Sequence, residues 1–222
     1  LKHMNPCGAA TGRDAAEAWA KAYEADKVSI FGGIVALNRP VTREVAEAMK
    51  PVFLEIVMAP AFEPEALEVL RTKKNLRLLE VGMERTEERP KRYVGVNGGL
   101  LVQDADVTTR SVTADMCVTE RKPAAEQLAD LDFGWRIVKH VKSNAIVAVK
   151  DGRTLGVGAG QMNRIGSAAI ALRRGCHRGP CAGFGRLLPL RRLRDAGRRV
   201  RRDGDRAARR LGARRGFGAQ GQ

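Results

Sequence analysis

Two short apolar runs, Ala145 to Val149 and Thr154 to Val157, flank an Asp151-Gly152 pair. Strand-forming residues on either side of Asp-Gly predict a β-hairpin with a two-residue turn. Ahead of it, Leu128, Leu131, Trp135 and Val138 recur at helical spacing and predict a helix with those four on one stripe. After it, Gly156, Gly158 and Gly160 lead into a further helix, expected to open at Gln161. Upstream, Asp14 to Ala25 reads as an Ala-rich helix with Trp19 and Tyr23 on one face, and Val28 to Leu37 bends at Gly32-Gly33 into a short strand. Thr42 is placed to cap a helix to about Met49, Phe53 to Met58 reads as a strand, and Pro64 to Arg71 as a helix with Pro in its first turn. Leu76 to Val81 reads as another strand, Met83 to Lys91 as a charged surface loop, and Asn97-Gly98-Gly99 as a turn entering Leu100 to Val102. Strand–helix–strand succession predicts an α/β domain, its mixed sheet covered by helices.

The net charge of +15 over 222 residues first suggests a nucleic-acid binder. Its distribution argues otherwise. Residues 173–222 hold 16 Arg, no Lys and three Asp, whereas residues 1–172 carry a net of only +2. The chain therefore divides into a near-neutral domain, 1–172, and an Arg/Gly-rich tail, 173–222, expected to be disordered. Cys7, Cys117, Cys176 and Cys181 lack the spacing of a disulfide framework, which fits a reducing cytoplasm. No apolar run approaches the roughly 18 residues that span a bilayer. Leu1 is not an initiator methionine, so a preceding segment is left open.

The hairpin's ends gather polar groups: Lys142, Ser143 and Asn144 on one side, Gln161, Asn163 and Arg164 on the other. Carboxamides and a guanidinium delivered to one edge suit a polar, planar ligand, although an ordinary hairpin with polar ends reads the same way. Lys2 and His3 form a basic pair that elsewhere would be frayed surface. Pro6-Cys7 begins a zinc-deaminase signature, but Ala10 stands where its second Cys belongs and no His-x-Glu partner exists. The glycines from Gly156 to Gly160 precede no Gly-Lys-Ser/Thr, so close packing at a strand–helix turn explains them better than a phosphate loop.

Several long stretches occur in an order that resembles one family. LKHMNPCGAATG at Leu1, VSIFGGIVALNRP at Val28, FLEIVMAPAFEPEAL from Phe53 with KKNLRLL after it, NGGLLVQDAD at Asn97, and KHVKSNAIVAVKDGRTLGVGAGQMNR from Lys139 are similar to the transformylase domain of AICAR formyltransferase/IMP cyclohydrolase, the bifunctional purine-biosynthesis family. The likeness covers roughly residues 1–171 and then stops. It implies a fold of cytidine-deaminase-like topology, a chain lacking the amino-terminal cyclohydrolase domain, and transfer of a formyl group from 10-formyltetrahydrofolate to the 5-amino group of AICAR.

The resemblance also assigns roles. Lys2 and His3 match the family's catalytic Lys-His pair, and Asn144 would orient the substrate carboxamide. Arg164 matches the arginine of the GAGQ-x-x-R motif and would touch substrate or folate. Val28 and Phe31 fall where the folate pocket is lined, Phe31 being otherwise readable as a core aromatic. Glu55 sits where related enzymes place an acid near the catalytic pair, or else faces solvent from an edge strand. Family members bind potassium near Ser143, largely through backbone oxygens, and no metal ligand is assigned here. A homodimer with its site at the interface is implied, without specific nucleic acid or membrane.

The tail reads as out of frame. Back-translating Ala182 to Leu193 one base later allows LASDAFFPFAD, and Asp203 to Arg215 allows TAIVQPGGS, then RDE after one variable residue; both are family-like. A single-base shift between about Ala171 and Pro180 is therefore expected, removing as protein the Phe-Phe-Pro-Phe segment that helps close the family's pocket. The alternative function is that of a basic protein binding nucleic acid through its arginines.

Overall fold

The computed structural model of the protein describes residues 1–84, 90–107 and 110–176. The loop expected from Met83 to Lys91 lies partly outside these residues, and the Arg-rich tail almost wholly so. Helix α1 spans Ala15–Ala25, and the Asp14 carboxylate accepts from the Glu17 N–H at 2.8 Å, taking up one of the donors a helix start leaves unpaired. Strand β1 (Gly33–Ala36), helix α2 (Arg43–Met49), strand β2 (Leu54–Ala59), helix α3 (Pro64–Leu70) and strand β3 (Arg77–Glu80) follow. Thr42 caps α2 through Val45 at 3.4 Å, and Pro64 opens α3, where a missing N–H costs no hydrogen bond.

The three strands form a parallel sheet in the order β1-β2-β3. Its core joins Val57 and Ala59 of β2 to Val45, Ala46 and Met49 of α2 and Ala66 and Leu70 of α3, with Trp19 of α1 at its border. Each large aliphatic side chain withdrawn from water here contributes about 1.5–3 kcal/mol. Strands β4 (Lys91–Val96) and β5 (Gly99–Asp104) form a separate antiparallel ribbon around Asn97-Gly98, where Gly98 takes φ 77°.

Helix α4 (Ala125–Val138), strands β6 (Ile146–Lys150) and β7 (Arg153–Gly158) and helix α5 (Arg164–Cys176) complete the described fold. The expected hairpin is present: Lys150 pairs with Arg153, and Asp151 and Gly152 take φ 53° and 64°. The Asp130 carboxylate of α4 clamps this turn, accepting from the N–H groups of Asp151 (3.0 Å) and Gly152 (2.8 Å). Two expectations need correction. Trp135 is 56 % exposed, whereas Leu128, Leu131 and Val138 of the same stripe are half-buried. Gly134 is the residue pressed on β6, where an added Cβ would lie 3.1 Å from Val149 Cγ2, and Trp135 stands about 100° round the helix from it. Helix α5 begins at Arg164, not Gln161, because Gly160 turns at φ 66°, Gln161 pairs with Asn144, and the Asn163 side chain accepts from Gly166 N–H at 2.7 Å.

The first eleven residues stitch the two parts together. Leu1 and Ile34 exchange bonds of 2.7 and 2.9 Å beside β1. Ala9 to Thr11 then run along β7: Thr154 donates its N–H to Ala9 O at 2.9 Å, and Thr11 N–H reaches Gly152 O at 2.8 Å. An Asp26–Arg174 ion pair at 2.5 Å joins the end of α1 to α5.

Candidate functional site

The stitching segment turns sharply where the chemistry lies. Lys2 and Asn5 exchange backbone hydrogen bonds of 2.8 and 3.0 Å, and His3 and Met4 between them take φ 49° and 64°. Two positive φ values in the central positions define a type I′ turn. Without glycine, such a turn holds left-handed backbone at a cost of order 1 kcal/mol per residue, a strain characteristic of functional positions. It carries the His3 side chain on an exposed tip.

Lys2 lies lower. Its ammonium donates to Phe31 O at 2.6 Å and Gly32 O at 2.9 Å, using two of its three protons. Gly32 is needed at φ 64°, and a Cβ there would meet Lys2 Nζ at 2.9 Å. Phe31 is 67 % exposed, so it is not the core aromatic of the alternative reading. Its ring rests on Phe53 with centroids 5.1 Å apart and planes tilted 42°. Val28, three residues earlier, is 85 % exposed. An ammonium thus sits at the foot of an open aromatic pair.

The opposite wall comes from the hairpin's ends. Asn144 and Gln161 exchange backbone bonds of 3.1 and 3.3 Å, and the Asn144 side-chain amide donates to Gln161 O at 3.1 Å. One amide proton is therefore spent, leaving the other with the carbonyl oxygen as a donor–acceptor pair. The fully buried Ser167 hydroxyl of α5 donates to Asn144 O at 2.7 Å and fixes this loop to the helix. Gly158 permits that approach, since a Cβ there would fall 1.9 Å from Ser167 O; this is the close packing expected of the glycine run. Arg164, exposed in the first turn of α5, stands three residues beyond Gln161.

The two walls meet through Asn5, whose Oδ1 accepts the Lys142 N–H at 3.0 Å. His3 lies two residues from one end of this bond and Asn144 two residues from the other. Strand β2 is the centre of its sheet, not an edge, and the Glu55 carboxylate is engaged by Arg77 of β3 at 2.8 Å. An apolar cavity of about 290 Å³ opens behind the turn, between α1 and β1, with Trp19, Tyr23 and Ile34 among its lining. Lys2, His3, Asn144 and Arg164 do not line it. Sequence reasoning did not single out Phe53, Asn5 or Ser167. Only Phe53, an aromatic opening a strand, carried any signal.

The α/β domain thus sets an exposed aromatic pair beside an ammonium, and Asn5 ties their segment to the loop that carries the Asn144 carboxamide. The family model described as "AICARFT/IMPCHase bienzyme" matches residues 1–174, and the chain belongs to that family. It is 55% identical over 172 residues to the "Bifunctional purine biosynthesis protein PurH" of Bacillus cytotoxicus, covering 78% of this chain and 34% of that protein. The protein of the same name from Anoxybacillus flavithermus is 57% identical over the same coverage. The chain thus spans about a third of the length of the curated relatives it matches. These matches lend no support to nucleic-acid binding, and among the described residues no helix is long and apolar enough to cross a membrane.

Proposed function

We propose that residues 1–174 carry part of a formyl-transfer site that takes AICAR and 10-formyltetrahydrofolate in purine biosynthesis. Family membership supports the reaction class, and the cyclohydrolase activity of the family's name would reside in sequence this chain does not contain. The observation that carries the reading for these residues is the Asn5–Lys142 bond, which puts the His3 turn and the Asn144 loop on one seam.

The acceptor amine is a weak nucleophile, its lone pair delocalised toward the neighbouring carboxamide. In this reading its nitrogen attacks the formyl carbon, the bond from that carbon to the folate nitrogen breaks, and the proton lost by the amine goes to that nitrogen. His3 acts as base or proton relay, a role worth about 10²–10⁴ in rate. Lys2 supplies positive charge to the tetrahedral oxyanion, typically about 3–4 kcal/mol. Asn144 pairs with the substrate carboxamide, Arg164 binds substrate or folate, and Phe31, with Val28 beside it, offers a ring face to the pterin or benzoyl group.

Potassium near Ser143 is given no ligand in this reading. The Lys142 carbonyl accepts from Gly160, and the Asn144 carbonyl from both Gln161 and Ser167. No step is routed through that ion. A cytoplasmic homodimer completes the reading, and sedimentation of the purified chain checks its assembly.

Calorimetric titration with AICAR tests the proposal. Saturable binding that His3→Ala or Asn144→Ala weakens at least tenfold is expected, and absence of binding by the unsubstituted chain overturns it. Formyl transfer itself is expected to be weak or absent, because the family's Phe-Phe-Pro-Phe segment does not occur in this sequence. Robust turnover would contradict that forecast.

A further inference from the structure

We infer that Asn5 is a positioning residue that sets the His3 turn against the Asn144 loop; the inference rests on the formyl-transfer reading for its functional meaning, but its geometry does not. The side chain works at both ends. Its Nδ2 donates to His3 O at 3.2 Å, inside the strained turn, and its Oδ1 accepts from Lys142 N–H at 3.0 Å, 137 residues away. Beyond that point the connection continues through backbone: Lys142 O accepts from Gly160 N–H at 2.8 Å, and Asn144 exchanges bonds with Gln161, three residues before Arg164.

A carboxamide is the shortest side chain that donates from one end of a planar fork and accepts at the other. Aspartate keeps the acceptor and loses the donor. Alanine loses both. Backbone bonds between Lys2 and Asn5 close the turn whatever side chain stands at Asn5, so the turn survives the substitution and only its placement is freed. Both side-chain bonds lie at the exposed surface, which keeps their contribution to stability small while their leverage on His3 is direct.

The test compares the full chain with Asn5→Ala and Asn5→Asp, using two readouts. The first needs no ligand: Lys142 amide hydrogen exchange and the NMR signals of the His3 imidazole ring. Asn5→Ala is expected to speed Lys142 exchange at least tenfold and to move the His3 ring signals, with the melting temperature within a few degrees of the parent. Asn5→Asp is expected to retain Lys142 protection yet still move the His3 signals. Unmoved His3 signals in both variants would overturn the inference, leaving Asn5 a loop cap. A large fall in melting temperature for both would also overturn it, making Asn5 a residue of the fold. The second readout is AICAR titration, expected to weaken at least fivefold in Asn5→Ala. If the parent chain binds no AICAR, the functional reading fails while the first readout still decides the positioning role.

Discussion

Two hairpins of nearly the same local design meet opposite fates in this molecule. Ribbon β4–β5 turns at Asn97-Gly98 and ribbon β6–β7 at Asp151-Gly152, each with glycine in the left-handed region. Both are rich in valine and leucine or isoleucine. Yet every residue of β4 and β5 is exposed, whereas β6–β7 buries Val147, Ala148, Thr154 and Val157 between α4, α5 and the amino-terminal segment. Turn chemistry and β propensity make a ribbon, and a two-stranded ribbon alone is marginal. Cover makes a site. The Asp130 clamp, the Ser167 hydroxyl and the Thr154–Ala9 pairing hold β6–β7 to its surroundings and so hold Asn144 and Arg164 in place.

Substitutions can break that contrast. Gly158→Ala should have the largest effect. Its Cβ would fall 1.9 Å from Ser167 O, forcing α5 off β7, at a cost of about 3 kcal/mol or more in unfolding free energy, read as a lowered denaturant midpoint. Gly95→Ala on the bare ribbon, with nothing within 4 Å of the added atom, provides the control and should change the midpoint little. Thr154→Val comes next. The hydroxyl is fully buried and accepts from Ala9 N–H at 3.0 Å, so valine would leave that donor unpaired, costing about 1–3 kcal/mol by urea unfolding. Leu100→Thr, on the ribbon, should stay within about 0.5 kcal/mol.

Much of the scaffold was legible because its signals are local. Thr42 announced its helix as a cap, the alanines after Asp14 another, Pro64 a first turn, and Asp151-Gly152 a hairpin. What failed depended on partners far along the chain. Of the α4 stripe only Trp135 is exposed, while Leu128, Leu131 and Val138 are half-buried; Gly134, which contributes nothing to an apolar pattern, packs against Val149 of β6. The edge-strand reading of Glu55 gave way to a central strand, with Arg77 of β3, 22 residues away, on its carboxylate. Asn5 was not singled out because its acceptor role depends on Lys142, which no spacing rule connects to it. For the site, the roles came by resemblance, and the fold added the Asn5–Lys142 bond between the segment of the His3 turn and that of Asn144.

The smallest expected effect is electrostatic and lies away from the seam. The Arg13 backbone N–H, then the side chains of Lys21 and Arg13, hold the Glu17 carboxyl down at about 2 from its ordinary 4.5. A pKa lowered by folding means that this group's contribution is complete above about pH 4.5 and drains away as pH falls through 2. Glu17→Gln should therefore flatten the acid limb of thermal stability over that window and leave neutral pH almost unchanged.

The central claim is that the His3 turn and the Asn144–Arg164 edge are two walls of one site. Titrating AICAR into the isotope-labelled chain and following the NMR signals of His3, Asn144 and Arg164 tests it most directly. All three are expected to move together along a single saturation curve. Shifts confined to one wall, or two curves with separate midpoints, would contradict it.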